Sequence, residues 1–418
     1  MYSQMLAITR QMKDPLYKNS FFIMLTSLSS AGFGFIFWII AAKLYPKGDV
    51  GVATALISSM NLLILLTRFG LDSSIIRFYP QNDKSGIFST STIITTVFTV
   101  LIGIIFILGI DIWSPELRVL SSPQNTILYI IFLAASSIVS MASFSYYALR
   151  RAELGFYQSL IVGSRVVVLF PLVFLGTMGI YGAVGISFIL AGIFSLASLT
   201  MSGITPALKL DRIFLNEAFH FSAGNYIIGL LVAAPAQILP IMVLNVIGPE
   251  ETAHYYIAYS ITSLLFMVPT ALSTSLFVEG SHGEGLQKST IKSTRAVFLL
   301  LIPLSIFLYF AGGWILGFIG KDYATSGLDL LRAMTISSFF MAVFYIYSSI
   351  KKIQKDIKGL ILLNGLIFGL LIGLGYVFML QFGIIGMGYA YIAAYGIGAL
   401  AVLSIAVKEK WIRLGSKR

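Results

Sequence analysis

The chain is a succession of long apolar stretches separated by short polar punctuation. About 20 predominantly apolar residues in a helix cross the ~30 Å hydrocarbon layer of a bilayer. Twelve stretches of that kind follow one another, over 19–43, 50–75, 86–111, 125–149, 157–177, 180–202, 222–247, 253–278, 292–318, 327–350, 358–381 and 383–407. They are too long for strands. Nor do they alternate polar with apolar residues, as a lipid-facing barrel strand must. The pattern therefore predicts an all-α integral membrane protein of twelve transmembrane helices. Composition agrees: 57% of the 418 residues are hydrophobic and 11% charged, whereas soluble domains are about a quarter charged.

Charge changes the picture by setting orientation. With the N-terminus placed in the cytoplasm, 21 of the 28 lysines and arginines fall on the cytoplasmic side. Lys43, Lys47, Arg118 and Lys321 fall outside, and Arg68, Arg165 and Arg332 lie within spans. The positive-inside rule then puts both termini in the cytoplasm of a multi-pass cell (plasma or inner) membrane protein. The net charge of +11 is explained by topology, which removes the case for nucleic-acid binding. Residues 1–18 carry Arg10, Lys13 and Lys18 without a cleavable apolar core, and read as an amphipathic cytoplasmic N-terminus. The absence of cysteine excludes disulfides and thiolate metal sites.

The two halves echo each other. Leu44-Tyr45-Pro46-Lys47-Gly48-Asp49 precedes the second span and Ile247-Gly248-Pro249-Glu250-Glu251-Thr252 the eighth, with the prolines 203 residues apart. Met141-Ala142-Ser143-Phe144 near the end of the fourth matches Met341-Ala342-Val343-Phe344 in the tenth, 200 apart, and each stretch is followed by a basic pair. Gly179-Ile180-Tyr181-Gly182 matches Gly383-Ile384-Ile385-Gly386, 204 apart. Six spans per half is an even number, so the repeat is parallel and its pseudo-two-fold axis runs along the membrane normal. The expected organisation is an N-lobe over 19–202, a cytoplasmic linker over 203–221, a C-lobe over 222–407 and a basic tail over 408–418, with a cavity between six-helix lobes.

Three of these stretches resemble the polysaccharide-synthesis flippases of the multidrug/oligosaccharidyl-lipid/polysaccharide (MOP) exporter superfamily. They are Ala42 to Gly51, Arg68 to Phe78 and the Gly-Ile-x-Gly openings of spans six and twelve. The resemblance implies two six-helix lobes facing a cavity and a lipid-linked sugar diphosphate as substrate. It also implies a basic residue at the position of Lys43 and gives slight weight to Asn225. The two further spans of the peptidoglycan-precursor flippases are missing.

The residues themselves suggest candidates. Arg165 lies well inside span five, where a charge costs ~2.5–3.5 kcal/mol and needs a cavity or a partner. A phosphate gripped by the guanidinium is one reading, and snorkelling to the headgroups or bonding backbone carbonyls is the other. Arg68 and Asp72 are four apart and would share a helix face, as a neutral pair or as a tuned basic group with Arg77 beyond. Asp329 and Arg332 form an interfacial pair or a gate. Asn61, Asn225, Gln237, Asn245 and Asn364 are helix–helix ties or sugar contacts. Pro235 and Pro240 would let span seven bend. Neither metal-ligand spacing nor a phosphate-cradling loop occurs, so no cofactor is expected, and the coupling ion, H⁺ or Na⁺, is left open.

The function expected is a flippase, not an enzyme. It would move a polyprenyl-(di)phosphate-linked oligosaccharide outward by alternating access. Its partners would be this anionic glycan lipid, the membrane lipids and glycan-assembly enzymes, and the chain would act as a monomer. A cation-coupled drug exporter of the same fold would want an acidic, aromatic-lined cavity. A major-facilitator protein would carry a Gly-x-x-x-Asp-Arg/Lys signature after span two, and the loop from Pro80 to Gly86 lacks it. A membrane glycosyltransferase would need a larger extramembrane site with paired carboxylates.

Overall fold

The computed structural model describes residues 15–80, 83–207, 210–281 and 286–408. Most of the N-terminal segment, Lys209 and the tail beyond Lys408 lie outside the described residues. Within them the chain is helical and contains no strand. The helices are α1 (Pro15–Leu44), α2 (Lys47–Thr67), α3 (Leu71–Phe78), α4 (Lys84–Leu108), α5 (Ile110–Trp113), α6 (Pro123–Ala148), α7 (Ala152–Gly163), α8 (Arg165–Val168) and α9 (Thr177–Met201). They continue as α10 (Arg212–Val246), α11 (Pro249–Ser281), α12 (Leu286–Ile319), α13 (Lys321–Ile353), α14 (Ile357–Phe382) and α15 (Ile385–Lys408).

Eleven of these helices are long and apolar enough to span a bilayer. The expected fifth span is segmented instead. After α7 the chain tightens into three-residue turns, with Ser164 N–H bonding the Ile161 carbonyl and Val167 N–H that of Ser164. It then loosens through 169–176 before α9. The cause is local. Gly163 and Ser164 are weak helix formers, and Pro171 has no N–H to give and disfavours a helical residue before it. Gly163 is held for another reason: a Cβ there would sit 2.7 Å from the Phe33 ring of α1.

The second span also differs from expectation. α2 stops at Thr67, and Phe69 and Gly70 adopt left-handed φ of 48° and 77°. Arg68 is thus the C-cap of α2, while Asp72 lies in the first turn of α3. They do not share a continuous helix face, because the left-handed Gly70 turns the chain between them. The glycine also admits a close neighbour: a Cβ on Gly70 would meet that of Ser222 at 2.4 Å.

The described chain packs as two units, divided between Tyr226 and Ile227, inside α10. The expected division was a linker over 203–221. Instead Phe214 and Ala218 are buried in one cluster with Leu71, Ile75, Tyr79, Phe88 and Tyr146. Ser222 shares a 2.6 Å hydrogen bond with Ser74, and the Tyr226 hydroxyl donates to the Leu66 carbonyl at 2.7 Å. The opening turns of α10 therefore belong to the first unit.

Helices in lipid associate through close packing and buried hydrogen bonds rather than through exclusion of water. In the first unit α1 packs on α7, α4 on α6, and α9 on α6 and α7. Gly185 lets α9 ride over the Phe132 ring, which a Cβ would meet at 2.1 Å. Gln158 ties three helices: its Oε1 accepts from Ser143 at 2.6 Å, and its Nε2 donates to Ser195 at 2.7 Å. In the second unit α13 is central, packing on α11, α12 and α15.

Candidate functional site

The loop Tyr45 to Asp49, which carries much of the family resemblance, is a clasp. Tyr45 is buried, and its hydroxyl donates to the Leu169 carbonyl at 2.7 Å, in the stretch where span five loses its helix. Burial, with Asp49 adding, raises the phenol above its ordinary pKa, so it stays a donor. Asp49 Oδ1 accepts from Thr177 N–H at 3.1 Å and from Thr177 Oγ1 at 2.6 Å. A carboxylate at the start of α9 is also favoured by the helix dipole. The motif therefore fastens the segmented span to the entrance of α9.

That entrance fixes the register of the internal repeat. Gly176 (φ 53°, ψ −131°) and Gly383 (φ 64°, ψ −146°) hold backbone conformations that only glycine adopts freely. Three residues on, a Cβ on Gly179 would lie 2.1 Å from the Leu172 carbonyl oxygen, and one on Gly386 would lie 2.2 Å from that of Phe378. By geometry Gly176 and Gly179 match Gly383 and Gly386. The alignment read from Gly-Ile-x-Gly alone is three residues out of register.

Arg165 opens α8, thirteen residues after the start of α7, or about 20 Å along at 1.5 Å per residue. Its guanidinium carbon lies 5.2 Å from the centroid of the buried Phe37 ring of α1. One of its terminal nitrogens lies 3.3 Å from where a Cβ on Gly34 would stand. The side chain is half-buried and laid on α1. Arg68 is half-buried too, 5.5 Å over the Phe144 ring of α6. Among the described residues it forms no ion pair, and its Nε is buried without a hydrogen-bond partner. Asp72 accepts from Ser73 N–H at 2.7 Å, and its charge acts on Arg68 from beyond ion-pair distance.

The other candidates are more scattered. Arg77 is exposed and lies 4.3 Å over Phe221. Lys43, at the end of α1, is exposed. Arg165 rests on the Phe37 ring of α1 and Arg68 on the Phe144 ring of α6. In the second unit Arg332 is paired with Asp329 at 3.6 Å, donates to the Tyr309 carbonyl at 3.3 Å and lies 5.1 Å over the Tyr309 ring. Asn225 is exposed on α10, Gln237 is half-buried, and Pro235 and Pro240 are buried. α10 runs unbroken through both prolines.

Pro235 lines a cavity of about 230 Å³ inside the second unit. Tyr259, Tyr345, Tyr391, Tyr395, Phe266, Phe344 and Asn364 surround it, and no charged side chain lines it. The tyrosines escaped the sequence reading because hydropathy scores a tyrosine as weakly apolar wherever it stands. The readable signal was their spacing of four residues, Tyr255 with Tyr259 and Tyr391 with Tyr395, which puts each pair on one helix face.

Residues 16–277 match the family model described as polysaccharide biosynthesis protein. No curated protein matches. Among solved structures, the lipid II flippase MurJ in an inward closed conformation superposes with a TM-score of 0.73 at 16% identity, covering 92% of this chain and 87% of that one. An inward-facing multidrug resistance MATE family transporter of the MOP superfamily gives 0.71 at 15% identity, covering 92% and 96%. A MOP superfamily transporter from Pyrococcus furiosus, described as having a binding pocket of reversed polarity, gives 0.63 at 14% identity, covering 94% and 97%. The fold is that of the MOP superfamily.

Proposed function

We propose a function from one premise: the chain belongs to the polysaccharide biosynthesis protein family. On that premise it is a flippase. It carries a polyprenyl-(di)phosphate-linked oligosaccharide, or a related anionic glycolipid, from the cytoplasmic to the outer leaflet of the cell membrane by alternating access. It acts as a monomer, with both termini in the cytoplasm and without a covalent step.

The observation that supports this reading is the state of the first unit's arginines. Two guanidinium groups, Arg165 and Arg68, are held on aromatic faces, and Arg68 has a buried Nε without a partner. A charge at the centre of a membrane span costs ~2.5–3.5 kcal/mol, and Arg68, at the end of α2, bears a part of that. A phosphate offsets that cost through charge-assisted, two-pronged hydrogen bonds that a lysine could not reproduce. A cation-coupled drug exporter would call for acidic groups in an aromatic cavity; the cavity of the second unit has the rings, and no acidic side chain lines it.

Deleting the gene in its host tests the reading. A glycan still attached to its polyprenyl carrier should accumulate in the cytoplasmic leaflet while the exported polymer falls. Normal export with no accumulated carrier-linked glycan would overturn it.

A further inference from the structure

The cavity in the second unit has a chemistry unlike that of the first unit's arginines. Its walls come from α11, α13, α14, α15 and the part of α10 beyond residue 226. Tyr259 stands ten residues into α11 and Tyr391 six into α15, or about 15 Å and 9 Å along those helices. The space therefore lies well along those helices from their ends, and Val232 and Met267 at its edge are exposed. Its volume of about 230 Å³ equals the liquid share of roughly eight waters, room for a small rigid group.

One wall is a continuous row of rings. Phe266 stacks on Tyr391 with centroids 6.0 Å apart and planes at 19°, and Tyr391 stacks on Tyr395 at 6.2 Å and 28°. Tyr395 then meets the edge of Phe344 at 6.0 Å. Polar groups line the space as well. Asn364 is 6% exposed, and its Nδ2 donates to the Leu360 carbonyl at 2.8 Å, which leaves the amide oxygen as an acceptor. Ser263 and Thr270 line the same space. Pro235 brings no N–H to the helix, so the Leu231 carbonyl loses its usual donor, and Leu231 also borders the cavity.

We propose that this cavity binds one neutral sugar ring of the glycolipid headgroup. The proposal rests on the flippase function above. A pyranose has an apolar C–H face, which packs on an aromatic ring, and an equator of hydroxyls, which bond to amide, hydroxyl and carbonyl groups. A charged ligand would find no counter-charge here and would bear the cost of its own desolvation. An isoprenoid chain would leave the Asn364 oxygen unpaired, and an unpaired buried polar group is costly. A neutral, hydroxylated ring with one apolar face satisfies the aromatic and the polar lining together.

The test uses the full-length protein in detergent with three probes: a polyprenyl diphosphate, the same lipid carrying one N-acetylhexosamine, and the matching polyprenol. Binding is measured for the wild type, Tyr391→Leu, Tyr391→Phe and Asn364→Leu. The wild type should bind the glycosylated lipid at least tenfold more tightly than the bare diphosphate. Tyr391→Leu and Asn364→Leu should bring that ratio to about one, and Tyr391→Phe, which keeps the ring, should preserve most of it. A wild-type ratio near one, or a ratio untouched in both leucine variants, overturns the proposal while the flippase reading stands. Polyprenol binding that is lost in Tyr391→Leu would assign the cavity to the lipid tail and overturn it as well. A wild type that binds neither diphosphate lipid defeats the function itself. Tyr391→Phe guards against misfolding, since a collapsed protein loses every affinity at once.

Discussion

Replacing Tyr45 by Phe removes one oxygen atom from the clasp and changes nothing else in size. In the protein that oxygen donates at 2.7 Å to the Leu169 carbonyl, where both residues are buried. Leu169 keeps a second donor, the N–H of Leu172, at a long 3.3 Å. The carbonyl is therefore weakened rather than stranded, and the loss sits near the ordinary net value of a hydrogen bond, about 1 kcal/mol, rather than at the ~3 kcal/mol of a fully orphaned group. For a packed unit of this size 1 kcal/mol lowers the melting temperature by about 2–4 °C. Tyr45→Ala also removes the ring and leaves a cavity, so it should cost about 3–5 kcal/mol. The assay is thermal unfolding in detergent, followed by retention on size exclusion. Tyr157→Phe is the control, because that ring is half-exposed and its hydroxyl has no partner among the described residues. A Tyr45→Phe protein as stable as the wild type would refute the clasp. So would one as damaged as Tyr45→Ala, since the ring alone would then carry nothing.

Two other expectations test different parts of the account. Asp356 caps α14 through the N–H of Gly359 at 2.9 Å, and that bond, with Lys351 adding, holds its carboxyl below the ordinary carboxylate pKa. Its stabilisation is full above the unfolded value, about 3.9, and is lost as pH falls through the lower folded value. The gap in melting temperature between wild type and Asp356→Ala should therefore be constant from neutral pH to mild acid and close only at stronger acid. A gap that closes near neutrality would contradict the assignment. The chain has no cysteine, so single introduced thiols report topology cleanly. Lys321→Cys should react with an impermeant maleimide in intact cells and Lys84→Cys only after permeabilisation, and the reverse pattern would invert the proposed orientation.

The membrane fold was legible because the bilayer leaves few choices: a long apolar run must be a helix, whatever surrounds it. The breaks were harder. Gly70 turning the chain after Arg68, and Gly163-Ser164 with Pro171 segmenting span five, are small departures inside runs whose hydropathy barely changes. A window wide enough to find spans averages them away. Arg165 was visible as a charge in an apolar run, yet its seat on Gly34 and Phe37 of α1 depends on two helices 130 residues apart in sequence meeting. The motif around Tyr45 was visible as a family feature but not as a clasp, because its partners Leu169 and Thr177 lie in a different span. Gln158 passed unnoticed among five other amides, and only the fold shows that it joins three helices.

The central claim is that guanidinium groups in the first unit receive a lipid-borne phosphate. It is tested most directly in proteoliposomes of purified protein loaded with a fluorescent polyprenyl-diphosphate glycan, with translocation read by quenching from the far side. The account predicts that wild-type protein moves the lipid, that Arg165→Gln and Arg68→Gln each slow it at least tenfold, and that both variants insert and unfold much as the wild type does. Translocation at the wild-type rate by the doubly substituted protein would contradict it.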